Sequence, residues 1–146
     1  MSFFITSLKE NGKLDQVHIT VGVVGSRKLS VSDDYCSEDW IKFAPNLTIY
    51  GFDADLDACE EANMDLAQRQ INWQEKHIPL ALSNSVGSAS LYVTNQLSCT
   101  SLYPPNTSYL ARFEQIIPDS FRLEFTTEVE TTTLDNYCEQ EDINEI

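Results

Sequence analysis

An α/β fold whose leading strands run parallel is what this sequence predicts, on three observations. A β-branched run, "QVHITVGVV", stops at Gly25-Ser26. A second apolar run, "LTIYGF", gives way to apolar positions at helical spacing. Beyond residue 84, strand patterns recur with no long helical pattern between them. Strands joined through a helix pair in parallel because the crossover returns the chain to the same end of the sheet.

Taken in order, residues 1–15 form a lead-in. "MSFFITSLKENGK" has one short apolar stretch with no basic region before it, too little for a signal peptide. Residues 16–24 are the first strand. In the irregular stretch that follows, Ser37 is placed to cap a short helix carrying Trp40, Ile41 and Phe43, which Pro45 stops. Residues 47–52 are the second strand. Leu56, Cys59, Ala62 or Asn63, and Leu66 then predict a helix to about Gln70, and Asp57 with Glu60 has the form of a capping box. "HIPLALS", residues 77–83, reads as a third strand, 84–87 as a turn, and "SASLYVT" as strand again. Pro104-Pro105-Asn106 predicts a long loop with a helical turn from Ser108 to Ile116. "RLEFTTEVETTTLD" alternates as a strand does, before a short acidic helix from Asn136 to Glu141.

Composition narrows the function. With 146 residues the chain is long enough to bury one core, and 42% hydrophobic content marks it as folded. Nine basic against 23 acidic residues give a formal charge of −14. Such a chain repels phosphate backbones and anionic lipid, so neither nucleic acid nor a membrane surface is an expected partner. No segment nears the ~18 apolar residues of a membrane span. Cys36, Cys59, Cys99 and Cys138 are too widely spaced for a zinc or redox pair, so no metal is expected and the thiols are read as reduced, in the cytoplasm.

The strand ends carry the chemistry. In an open parallel sheet, ligands bind beyond the carboxyl ends of the strands. Here the first strand ends in "VGVVGS" and the second in "GFDAD". Glycines allow a tight turn and close approach of a ligand to backbone, and a carboxylate after the second strand can accept both hydrogen bonds of a ribose diol. Asp53 is the candidate for that contact. A competing role, a carboxylate favoured by the helix dipole, suits Asp55 and Asp57 better. Neither His18 in the first strand nor His77 in the third has a base partner visible in sequence, and the hydroxyl-rich Ser98 to Ser101 segment is expected to serve its own backbone. The catalytic residues are not identified.

Four stretches in order, "APNLTIYGFDAD", "ALSNSVGSASLYVT", "CTSLYPPN" and "VETTTLDNYCEQEDINEI", resemble FkbM-type methyltransferases, a branch of the class I S-adenosylmethionine-dependent fold. The resemblance covers roughly residues 19–146. It implies a Rossmann-like sheet, incomplete here, with a β-rich insertion, and S-adenosylmethionine as cofactor. By this resemblance Asp53 holds the cofactor ribose, Ala81 and Leu82 lie beside the adenine, and Gly22 and Gly25 form the turn near its methionine end. Thr100-Ser101-Leu102 and Thr133-Leu134-Asp135 match further family features. Thr20 stands where the family has an aspartate, and Val23 and Val24 replace smaller or polar residues, so only the two glycines carry over there.

The resemblance also implies that the family's next strand, of the form D-x-x-K-x-D, would follow Ile146. The expected organisation is then one truncated methyltransferase-like domain over residues 1–146, with a cofactor-binding half at 16–83 and a β-rich segment and acidic tail at 84–146. Such a chain would transfer a methyl group to a hydroxyl of a sugar or small metabolite only with its second half, and alone would be inactive. Its first strand would be an exposed edge, prone to self-association. The alternative is a non-catalytic α/β module that binds no cofactor. A nicotinamide dinucleotide site ranks last, since the G-x-G-x-x-G fingerprint lacks its middle glycine.

Overall fold

A computed structural model describes residues 3–28 and 40–144. The chain is mixed α/β, built on two three-stranded sheets. The first contains β1 (Ile19–Val24), β2 (Leu47–Phe52) and β3 (Gln74–Ile78), parallel and in that order. The second contains β4 (Ala81–Leu82), β5 (Gly87–Thr94) and β6 (Leu123–Thr132), with β6 in the centre, parallel to β4 and antiparallel to β5. Helices α1 (Phe3–Glu10), α2 (Leu56–Gln68), α3 (Thr107–Leu110), α4 (Ile116–Ser120) and α5 (Leu134–Gln140) connect or flank them.

β2 explains why the first sheet forms the core. It is the central strand, every position but Tyr50 is buried, and Phe52 and Ile78 pack with Tyr137 from α5. The Tyr137 ring meets Phe52 edge-on, centroids 4.9 Å apart at 90°, the arrangement that aromatic quadrupoles favour. Burial, with smaller contributions from the Glu141, Tyr50 and Cys138 charges, pushes the Tyr137 phenol up to about 12.

The outer edge of β3 is closed by a side chain. Ile78 turns its carbonyl toward Asp53 at the end of β2, so His77, one residue earlier, presents its backbone to the opposite side. There Asn63 of α2 donates to the His77 carbonyl at 2.7 Å and accepts from the His77 amide at 2.9 Å. One amide side chain thus ends the ladder where another strand could have added. At the other edge, no described strand pairs with β1.

Several elements differ from their sequence reading. β1 begins at Ile19, where the Ile19 amide first meets the Asn46 carbonyl ahead of β2. His18 lies outside it and bonds Thr48 Oγ1 through Nε2 at 3.0 Å. The predicted third strand is two strands in two sheets. β3 starts earlier, at Gln74, and stops at Ile78 because Pro79 has no amide hydrogen to continue the ladder, and Ala81–Leu82 joins β6 instead. The lead-in contains α1, and the single turn expected at 108–116 is replaced by α3 and α4. The acidic helix starts at Leu134, two residues early, because the Thr133 side chain accepts from the Asn136 amide as its cap.

The helix after β2 ends at Gln68, and Asp55 rather than Asp57 caps it, accepting from the Ala58 amide at 2.9 Å. The stretch Trp40–Phe43 is a 3-10 turn, and Ser37, its predicted cap, lies outside the described residues, as does Cys36. No helix among the described residues is long and apolar enough to cross a membrane.

Candidate functional site

The site lies beyond the carboxyl ends of β1 and β2. After Val24 the chain turns at Gly25, whose φ of 71° is the left-handed region that favours glycine. A side chain at Gly25 would project into open space, so the backbone there is accessible to a ligand. The Phe52 carbonyl receives both the Gly25 and Ser26 amides, at 2.9 and 3.0 Å, and this fixes the turn against the end of β2.

Asp53 comes next on β2's side. Its Oδ2 accepts from the Arg27 amide at 2.9 Å and its Oδ1 from the Asp55 amide at 3.0 Å. A carboxylate has about four acceptor positions. Two backbone bonds therefore orient Asp53 and leave acceptor capacity for a ligand. Asp55 is engaged twice, as the cap of α2 and as the ion-pair partner of the Arg27 guanidinium. Below them the Cys59 thiol is pushed up to about 11, by burial first and then by the charges of Asp53 and Asp55. It is a packed thiol without nucleophilic character at neutral pH.

These groups border a cavity of about 800 Å³, within the usual size of small-molecule sites. Gly25, Asp53, Ala81 and Leu82 all line it, so four of the five residues singled out from sequence converge from separate strand ends. Gly22 is not among the lining residues, being paired with Tyr50 in the middle of β1. Leu80, Leu97 and the β5–β6 hairpin complete the walls, and Ser98, Thr100, Ser101 and Leu102 also line it.

No protein-family model, curated protein or solved structure matches this chain. The functional reading therefore stands on the geometry of the site and on the residues that build it.

One constellation escaped the sequence reading. His77, expected to lack partners, is buried in β3 with Nδ1 at 3.2 Å from Ser26 Oγ and Nε2 at 3.1 Å from Glu75 Oε1. Glu75 also accepts from Lys28 at 3.0 Å and from the Trp73 indole at 3.0 Å. Burial pushes the Glu75 carboxyl up, but the hydrogen bonds from His77, Trp73 and Lys28 and the Lys28 charge outweigh it and hold it at about 2. The order serine, histidine, glutamate is that of a hydrolytic triad. Yet Ser26 is 1% exposed, so no substrate reaches its hydroxyl.

The network supports the turn beneath the site. Gly51 lies between its members: a Cβ there would sit 2.7 Å from Ser26 and 2.8 Å from His77 Nδ1. Glycine is required for close packing, and Ser26 is thereby held next to Gly25 and Arg27, the two residues that meet the cavity. A signal was present in "QEKHI", because Glu75 and His77, two apart on a strand, share a face. Their partner Ser26 lies 51 residues away in sequence and carries no local mark.

Proposed function

We propose that this cavity is the cofactor site of a class I, Rossmann-like methyltransferase that transfers a methyl group from S-adenosylmethionine to a hydroxyl of a small metabolite or sugar. The observation that carries the reading is the convergence of the Gly25 turn, the Asp53 carboxylate and the Ala81-Leu82 floor on one cavity. Asp53, held by two backbone amides, has acceptor positions left for a ribose diol. Gly25 leaves space for backbone contact, and Leu80, Ala81 and Leu82 offer an apolar surface to a purine.

Charge separates this ligand from a dinucleotide. Among the described lining residues, Asp53, Asp55 and Asp57 face one cation, Arg27, which is already paired with Asp55. Residues 29–39 add no lysine, arginine or histidine to the sequence. A diphosphate bridge would enter an acidic cavity, whereas a sulfonium cation is attracted to it. S-adenosylmethionine held there would supply a methyl group to the acceptor oxygen, with the electron pair of its C–S bond left on sulfur and the hydroxyl proton passed to water. The protein's share is positioning: it orients Asp53 and presents two ligands side by side.

Calorimetric titration with S-adenosylhomocysteine tests the reading. Heat of binding is expected, and Asp53→Asn should weaken affinity by about tenfold or more, the worth of a hydrogen bond to a charged group. Absence of heat at millimolar ligand overturns it. NADH is expected not to bind.

A second reading, an interaction module without cofactor, is favoured by the unpaired edge of β1 among the described strands. Gly25 and the odd-numbered strand residues face β2, which turns the amides of Thr20, Gly22 and Val24 outward. An assembly in sedimentation that Gly22→Pro dissolves would support it, and a monomer at all concentrations would remove it.

A further inference from the structure

The β5–β6 hairpin has two chemically opposite faces. Its antiparallel register pairs Leu91 with Thr127, Val93 with Phe125 and Ala89 with Val129. Directly opposed residues project from the same side of a sheet, and neighbours along a strand alternate. One face is therefore Ala89, Leu91, Val93, Phe125, Thr127 and Val129. The other pairs Ser88 with Glu130, Ser90 with Glu128 and Tyr92 with Thr126.

The apolar face is the one on the cavity. Leu91, Val93, Phe125, Thr127 and Val129 all line it, and Phe125 is 58% exposed. Glu128 contributes to the lining, but its side chain belongs to the opposite face, where Ser90 Oγ donates to its carboxylate at 2.8 Å. This wall thus turns no charged side chain toward the cavity. At its rim Thr100 Oγ1 accepts from the Thr94 amide at 3.3 Å and Ser101 Oγ from the Tyr103 amide at 3.1 Å. Each of these hydroxyls is fixed by that bond and still carries its own proton to donate.

We infer that this wall receives the acceptor as an uncharged, hydroxyl-bearing compound with an apolar ring face, and rejects its phosphorylated or carboxylated counterparts. The inference rests on the cofactor reading above and names the second occupant of the same cavity. An anion placed there would meet no free cation among the described lining residues and three aspartates across the cavity. A ring with one apolar face can lie on Phe125, Leu91 and Val93 while its oxygens meet the rim hydroxyls. Half-exposed apolar side chains collected around a cavity are the usual mark of such a site.

The test uses the full chain saturated with S-adenosylhomocysteine and a matched pair of probes, phenyl β-glucoside and its 6-phosphate, followed by saturation-transfer NMR and titration. The neutral glucoside is expected to bind at least tenfold more tightly. Thr127→Lys, which puts a cation on the cavity face, should admit the phosphate ester. Glu128→Lys, one residue along but on the other face, should leave the preference as it was. Equal or tighter binding of the phosphate ester by the native chain overturns the inference, as does failure of the glucoside to bind or an equal response to both lysine substitutions. If S-adenosylhomocysteine itself does not bind, the cofactor reading falls, and the same pair titrated against the free chain still decides the charge preference of the wall.

Discussion

The two sheets have three strands each and differ in almost everything else. β2 is buried at all positions but one, while β6 is exposed over its first six positions and buried only at Thr131 and Thr132. In the parallel sheet the buried positions of β2 meet distant segments, as the backbone of Gly51 does where it fits between Ser26 and His77. In the hairpin the apolar face borders a cavity. Stability is therefore concentrated in the first sheet, and the second has surface free for recognition. Regions that bind ligands are commonly drawn from the less stable part of a fold.

Truncating one phenylalanine in each sheet should show the largest contrast. Phe52→Ala removes a fully buried ring packed against Tyr137, and a loss of about 3–5 kcal/mol is expected in urea unfolding. Phe125→Ala removes a mostly exposed ring, for which less than about 1 kcal/mol is expected. Equal losses would break the comparison.

The next effect belongs to Glu75. Its carboxyl is held at about 2, below its ordinary 4.5, so its stabilisation is complete above pH 4.5 and disappears as pH falls toward 2. The gap corresponds to roughly 3 kcal/mol. Urea midpoints measured across that range should fall steeply in the native chain and less in Glu75→Gln.

Gly51→Ala should follow, because its Cβ would overlap Ser26 and His77. Overpacking of this kind costs about 1–3 kcal/mol, and thermal unfolding would register it. A change in stability indistinguishable from zero would mean that the Ser26–His77 contact is loose.

Ser90→Ala should show the smallest effect. It deletes the exposed hydrogen bond from Ser90 to Glu128, and a change within about 0.5 kcal/mol is expected for such a surface position. A loss comparable to that of Gly51→Ala would show the hairpin to be as interlocked as the parallel sheet.

Much of the first sheet was legible along the chain. The runs "HITVGVV" and "LTIYGF" identify β1 and β2, helical spacing identifies α2, and the parallel pairing of β2 with β3 follows from the helix between them. Asp53 was legible as the first acid after β2, and the structure places it on the cavity. The boundaries were less so: β3 was assigned too late and merged with β4, because Pro79 sits inside an otherwise continuous apolar run. The role of Asp55 as cap was ambiguous among three aspartates, since which one reaches the Ala58 amide depends on the geometry of the turn.

By itself the sequence determined what is local: the 2.0 and 3.6 periodicities, the succession β1, β2, α2, the acidic balance and an acid at the end of β2. Tertiary structure alone decided that Ala81–Leu82 joins β6, that His77 meets Ser26 across 51 residues, and that the apolar face of β5–β6 lines the cavity with Asp53. The reason is physical. Periodicity tells which face of an element is apolar, but the neighbour that face meets is set by packing between segments far apart in the chain, where no local pattern records it.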